Sequence, residues 1–165
     1  MLPLGISIGT STRVGNLLGA GQREEAQHAA HGAFGMGAGV MALCALIFLI
    51  GRHALPALYT SDAAVLELSA RVLPIAAAFQ LFDGLQVVGS GVLRGMGRTV
   101  PGAVINLVGY YALALPFAAW LGFSGGHGLT GLWWGLSLGL ATIAIALVAW
   151  ISVRGPRTVA ERVHD

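Results

Sequence analysis

A single charged residue, Asp83, interrupts an apolar stretch that runs from Val72 to Leu93. Gln80 lies about one helical turn before it and Gln86 about one turn after it, so a helix would bring the three polar side chains to similar faces. A charge in the middle of a membrane helix costs roughly 2.5–3.5 kcal/mol on insertion scales and usually belongs to an ion or substrate path. The pattern predicts a functional carboxylate that a proton or a bound cation can neutralise. The alternative is a buried Asp that neighbouring helices satisfy for structure alone.

A second polar pair lies further along the chain. Asn106 and Tyr110 are spaced i,i+4 and would share one face of the next helix. With Gln80 and Gln86, they are candidates for lining a substrate cavity. The residues leave a second reading open, in which this pair only bonds to a neighbouring helix.

The elements that must position these side chains are membrane helices, because the chain is poor in charge. Hydrophobic residues make up 56 % and charged residues 10 % of its 165 residues, and the mean hydropathy is +0.77. A soluble domain carries roughly 25 % charged residues, so we expect neither a soluble enzyme nor a disordered tail. The net charge of +2 comes from scattered arginines. Nucleic-acid binding needs a clustered basic surface, so no nucleic-acid partner is expected.

The spacing of charge predicts where the helices lie. No Asp, Glu, Lys or Arg occurs at 26–51 or at 99–153, and one crossing of a bilayer takes about 20 apolar residues. The glycine-rich turn at 124–128 divides the longer run in two. We predict an all-α, polytopic membrane helix bundle over 1–153, followed by a polar tail at 154–165. Its five transmembrane helices are expected at about 2–19, 29–53, 64–95, 101–123 and 129–153.

The arginines predict the orientation of this bundle. One side of the predicted topology carries most of them, namely Arg13, Arg23, Arg94, Arg98, Arg154, Arg157 and Arg162. Only Arg52 and Arg71 fall on the other side. Cytoplasmic loops are enriched in positive charge, so we expect a multi-pass protein of the cell membrane with a cytoplasmic C-terminus.

Glycine spacing predicts close helix packing. Gly131, Gly135 and Gly139 recur every four residues on the last predicted helix, and small residues at this spacing let membrane helices approach one another. Static packing and a sliding surface are both compatible with the pattern.

Motifs for other chemistry do not hold in this context. The pattern Gly5-Ile6-Ser7-Ile8-Gly9 matches a nucleophile elbow, but that motif needs a strand–turn–helix context and partner Asp and His residues. His28 and His31 are too few ligands for a structural zinc site. We therefore predict no enzyme, no catalytic residue, no metal site and no cofactor beyond a transported ion.

A set of longer motifs resembles the multidrug and toxic compound extrusion (MATE) transporters. The resemblance covers nearly the whole chain and rests on several motifs in combination. They read LPLGIS at 2–7, TSTRVGN at 10–16, GAG at 19–21, FDGLQ at 82–86, GVLRGMG at 91–97, NLVGYYALALP at 106–116, GL at 128–129 and GLW at 131–133.

The resemblance implies a fold and an activity. Members of that family have twelve helices in two six-helix lobes, and these five match the eighth to the twelfth. The family exports cationic, amphipathic compounds in exchange for protons or sodium. The resemblance assigns cation coupling to Asp83 and implies small cationic drug-like substrates, a proton or sodium ion as the coupling ion, and a lipid bilayer around the protein.

Only part of the family's helices is present, so we expect a fragment that is inactive alone and needs the missing N-terminal lobe or a second chain. Two other readings stay open. One is a flippase of related fold for a lipid-linked saccharide, which would need interior arginines. The other is a non-transporting membrane fragment that only packs against partners.

Overall fold

The computed structural model describes residues 1–126 and 128–159, and every regular element in them is helical. The predicted all-α bundle is therefore confirmed. In chain order, the helices are α1 (Leu2–Gly19), α2 (Arg23–Ile50), the short α3 (Ala54–Ala57), α4 (Ala63–Gly95), α5 (Thr99–Ser124) and α6 (Gly128–Arg154). A 3-10 turn, Pro156–Thr158, follows α6.

Helix α4 lies at the centre of the bundle and packs against α1, α2 and α6. Small residues make these approaches close: a Cβ added at Gly91 would lie 2.5 Å from the backbone oxygen of Ser7 in α1, and one at Gly37 in α2 would lie 2.9 Å from the side chain of Val88. Large aliphatic side chains fill the remaining space, with Val88, Val92 and Leu147 fully buried. Helix α4 is therefore the element against which the others are positioned.

The glycine stripe of α6 faces α5. Added Cβ atoms at Gly135 and Gly139 would overlap Ala118 and Ala114 respectively. Both alanines are buried, at 3 % and 0 % exposure. The stripe is thus a site of close helix contact, as the small-residue spacing predicts.

The predicted bounds hold for α1, α4, α5 and α6 to within two residues, but the prediction for the second helix was wrong at both ends. Helix α2 begins at Arg23 rather than at 29 and ends at Ile50 rather than at 53. The prediction followed the apolar run alone, whereas Glu24 and Glu25 extend the helix because negative charge stabilises a helix N-terminus. Pro56, predicted to follow this helix, lies within the separate short α3.

Helix α1 differs from the other predicted spans. In the described part of the chain, four helices, α2, α4, α5 and α6, are long and apolar enough to cross a membrane. Helix α1 is not among them, because hydroxyl residues together with Arg13 and Asn16 lower its hydropathy. Its Ser7 lies beside Gly91 and its Ser11 beside Gly95, so α1 runs parallel to the C-terminal part of α4. We call this end of the bundle the Gly95 end.

Helix α5 contains two wider π-helical segments, Gly109–Ala114 and Trp120–Ser124, which the sequence did not predict. The first comes directly before Pro116, which cannot donate a backbone hydrogen bond and crowds the preceding turn. A π-helical segment is a known way for a helix to absorb such a local disturbance.

The predicted polar tail was wrong for its first residues. Gly155 and Pro156 are buried, and Val159 packs against the hydrophobic core. The 3-10 turn lies against α2. The rest of the predicted tail, 160–165, lies outside the described residues.

Candidate functional site

Asp83 lies on the strip of α4 that separates α1 from α5. The next turn of α4 shows this: the backbone oxygen of Val87 accepts a hydrogen bond of 2.7 Å from Ser7 in α1, and Gln86 bonds to α5. Asp83 precedes Gln86 by three residues and Val87 by four, so it lies one turn away on the same side of the helix. Its side chain is partly buried. Among the described residues, no hydrogen bond or ion pair involves its carboxylate.

Two of the predicted cavity residues bond to each other. The Nε2 atom of Gln86 donates a hydrogen bond of 2.9 Å to the Oδ1 atom of Asn106. Tyr110 is partly buried and lies one turn beyond Asn106 on α5, level with Asp83 because α4 and α5 run antiparallel. The structure therefore brings Asp83, Gln86, Asn106 and Tyr110 together where α4 meets α5. Asn106 thus bonds a neighbouring helix, as one of the two interpretations has it, while cavity lining stays a prediction.

Gln80 lies on the same helix but makes no such bond. Its Nε2 atom is buried and has no hydrogen-bond partner among the described residues, and the same holds for the hydroxyl of Ser90. A buried polar group without a partner costs roughly 1–3 kcal/mol. Unpaired polar atoms on either side of Asp83 along α4 are therefore positions where water, an ion or a ligand would gain hydrogen bonds. Sequence reasoning missed Ser90, which its spacing of seven residues from Asp83 could have indicated.

Arg94 lies further along α4 towards the Gly95 end. It is eleven residues from Asp83, which is about three helical turns, so the two residues share a face. Its guanidinium donates a hydrogen bond of 2.8 Å to the hydroxyl of Ser7, which is itself fully buried. The Ser7 hydroxyl thus joins α1 to two residues of α4, Val87 and Arg94, that lie about two helical turns apart. Sequence reasoning used Arg94 only as a marker of orientation.

The larger cavities lie away from these residues. One of about 860 Å³ is lined by Arg52, Pro74 and Trp134 among others, and one of about 660 Å³ by Tyr59, Val72 and Trp133 among others. Neither is lined by Asp83 or by the predicted cavity residues. Volume alone does not identify a site, whereas the strip around Asp83 combines a charge, two paired amides and unsatisfied polar atoms. We therefore place the candidate site on the strip.

Comparison with known proteins identifies the family. The family model described as MatE matches residues 1–120. The chain belongs to the MatE family. The resemblance to MATE transporters that the motifs indicated is thereby confirmed.

Curated relatives of this MatE chain are named as resistance or extrusion proteins. "Multidrug resistance protein NorM" of Burkholderia vietnamiensis is 42 % identical over 155 residues, covering 91 % of this chain and 33 % of that protein. "Multidrug and toxin extrusion protein 2" of Mus musculus is 36 % identical over 163 residues, covering 98 % of this chain and 28 % of that protein. The chain spans about a third of the length of these relatives.

Solved structures agree with this assignment. The crystal structure of the eukaryotic MATE transporter AtDTX14 matches with a TM-score of 0.87 and 30 % identity, covering 94 % of this chain and 35 % of that one. An outward-facing multidrug resistance MATE family transporter matches with a TM-score of 0.85 at 20 % identity, covering 99 % of this chain and 36 % of that one. The second match shows the shared fold alone.

Family membership does not by itself assign roles to residues of this MatE chain. Cation coupling by Asp83 stays a prediction, and so does cavity lining by Gln80, Gln86, Asn106 and Tyr110. What the geometry adds is their arrangement: four of the five lie together at the α4–α5 contact, and Gln80 lies one turn away on α4 with an unsatisfied amide.

Proposed function

We propose that this chain is part of a secondary active exporter of cationic, amphipathic compounds that exchanges them for protons or sodium. The observation that carries the proposal is Asp83, a carboxylate in the middle of the membrane-spanning α4 that has no ion-pair partner among residues 1–126 and 128–159. Charges at that depth usually mark ion or substrate paths. The names of the two relatives, which refer to multidrug resistance and to multidrug and toxin extrusion, support the same class of substrate.

Asp83 would act by competition between two cations. In its ionised form it attracts a cationic substrate into the polar strip. A proton or a sodium ion arriving from outside neutralises it and removes that attraction. Replacing one cation by the other shifts the protein between two conformational states only if the cations differ in their relative affinity for those states. Gln86, Asn106 and Tyr110 would hold the substrate or the ion beside the carboxylate.

The positions of the arginines support a cytoplasmic C-terminus. The start of α2 and the end of α6 lie together, because Gln27 bonds to the backbone oxygen of Ile151. The arginines near these termini and near the end of α4 therefore share the Gly95 end. Arg52 and Arg71 line one cavity at the opposite end. Because positive charge is enriched on the cytoplasmic side, the Gly95 end is the inner end of the proposed transporter.

The exporter would need more than this chain. The strip that carries Asp83 lies between α1 and α5, and the chain matches about a third of the length of its relatives. We propose that an N-terminal lobe or a second chain forms the facing wall of the cavity. The chain alone is then expected not to transport.

A chimaera tests the proposal. The part of Burkholderia vietnamiensis NorM that precedes the matched segment would be fused to this chain and expressed in cells that lack their main exporters. We expect the chimaera to export a fluorescent cationic dye such as ethidium, and Asp83→Asn to abolish export. Asp62→Asn is the matched control, since it removes a carboxylate from the exposed start of α4 where Asn also caps a helix.

The outcomes separate the alternatives. Dye export by Asp83→Asn at the parent rate would remove Asp83 from the mechanism. The proposed activity would be contradicted if the parent chimaera inserts into the membrane but exports no dye, while intact NorM exports it from the same cells. For a chimaera that exports dye, transport in proteoliposomes with a proton gradient or a sodium gradient would distinguish the two coupling ions.

A further inference from the structure

The side chain of Gln27 joins three parts of the chain at the Gly95 end. It is only 3 % exposed. Its Nε2 atom donates a hydrogen bond of 3.4 Å to the backbone oxygen of Ile151 in α6 and lies 3.2 Å from the Nε2 atom of His31. Its Oε1 atom accepts a hydrogen bond of 3.5 Å from the backbone N–H of Arg157. Both ends of this buried amide are used, so it cannot turn away without leaving polar groups unsatisfied.

Gly155 allows the chain to fold back onto Gln27. A Cβ at this position would overlap the backbone oxygen of Ile151 and lie 2.5 Å from the Oε1 atom of Gln27. Only glycine therefore fits between the last turn of α6 and the side chain of Gln27. Beyond it, Pro156 is buried and Val159 packs against the core. We call residues 155–159 the C-terminal strap.

The strap connects two helices that otherwise meet sparsely. Helices α2 and α6 both pack extensively on α4, while α2 packs more against the strap than against α6 itself. Within the strap, the hydroxyl of Thr158 donates a hydrogen bond of 2.8 Å to the backbone oxygen of Gly155. The guanidinium of Arg157 also ties the strap to α6, since it donates a hydrogen bond of 3.1 Å to the backbone oxygen of Ser152. A compact strap held at Gln27 transmits movement of α6 to the start of α2.

We infer that Gln27 is a positioning residue that holds the C-terminal strap on α2 and makes the inner ends of α2 and α6 move as one body. The holding of the strap is independent of any transport activity. The importance of joint movement rests on the proposed function, since an exporter must rearrange its helices between two states.

Thiol labelling tests whether Gln27 holds the strap. In the full chain, Cys44→Ala removes the sole cysteine and Val159→Cys places a reporter in the strap. We expect Gln27→Ala to raise the rate of labelling by a maleimide reagent roughly tenfold, as the loss of a buried hydrogen-bond partner predicts. Gly155→Ala should also raise the rate of labelling, because the added Cβ displaces the strap. Gln22→Ala, on an exposed side chain, and Gly32→Ala, with open space around its Cβ, are the matched controls.

A second reporter separates release of the strap from general unfolding. Val92→Cys lies in the core of α4, where the side chain is fully buried. Its labelling should stay slow in Gln27→Ala. Unchanged labelling of the strap reporter in both Gln27→Ala and Gly155→Ala would overturn the inference, and so would equal acceleration at both reporters.

Transport by the chimaera tests the joint movement. Gln27→Ala is expected to slow dye export several-fold, while Gln22→Ala leaves it unchanged. Faster labelling of the strap together with unchanged export would show that Gln27 holds the strap but would overturn its role in transport. Because labelling needs no substrate, failure of the proposed function would leave the labelling result standing.

Discussion

The amide nitrogen of Gln86 on α4 donates a hydrogen bond of 2.9 Å to the side-chain oxygen of Asn106 on α5. This bond uses one polar group of each residue and leaves the oxygen of Gln86 and the amide nitrogen of Asn106 for another partner. The pair therefore fixes α5 against α4 and still offers one acceptor and one donor beside Asp83.

The Gln86–Asn106 bond should appear as an energetic coupling. Each single variant, Gln86→Ala and Asn106→Ala, removes the same bond, so the double variant should lose less stability than the sum of the two. Interhelical hydrogen bonds in membrane proteins contribute about 0.6 kcal/mol on average, and a coupling of that order is expected. The measurement is the unfolding free energy of the four proteins in detergent. Strict additivity would mean that the two amides do not interact.

Close packing between α5 and α6 should be sensitive to added volume. Gly139→Ala places a methyl group against Ala114, where the structure has no room for it. Overpacking of this kind costs about 1–3 kcal/mol, and the midpoint of thermal unfolding should fall. Gly35→Ala is the control, because open space surrounds its Cβ and alanine favours a helix. Equal midpoints for the two variants would contradict the contact.

Asp62 should stabilise the start of α4 by capping it. Its carboxylate accepts hydrogen bonds from the backbone N–H groups of Ala64, at 2.8 Å, and Val65, at 3.4 Å. Asp62→Ala is expected to lower the unfolding free energy by about 1 kcal/mol, while Asp62→Asn leaves it nearly unchanged. The comparison is made by unfolding in detergent, and a similar loss in both variants would indicate that charge rather than capping matters.

The ion pair between Glu67 and Arg71 should contribute little. Both side chains are 68 % exposed and lie one turn apart on α4. Exposed pairs of this kind contribute about 0.3–0.5 kcal/mol, so Glu67→Gln should barely change the unfolding midpoint. High salt should abolish any difference that remains, because salt screens exposed charges. A loss as large as that of Gly139→Ala would contradict this expectation.

The order of apolar and charged residues along the chain determined where the membrane helices lie. Apolar runs between charged residues predicted α4, α5 and α6 closely, because the thickness of a bilayer sets the number of apolar residues in a crossing. The same rule placed Asp83 within a span. It failed at the start of α2, where polar residues continue the helix beyond the apolar run. Helix α1, predicted as a further crossing, is less apolar than the four helices that composition alone marks among the described residues.

The tertiary structure alone decided which polar residues meet. Gln86 and Asn106 were both candidates by type, yet their bond depends on the register between α4 and α5, which close contacts such as that of Gly102 with Leu93 set. Sequence reasoning did not single out Gln27, and its contacts follow from the turn that Gly155 permits far along the chain. Periodicity within one helix shows which face a side chain occupies, but only packing shows what that face touches.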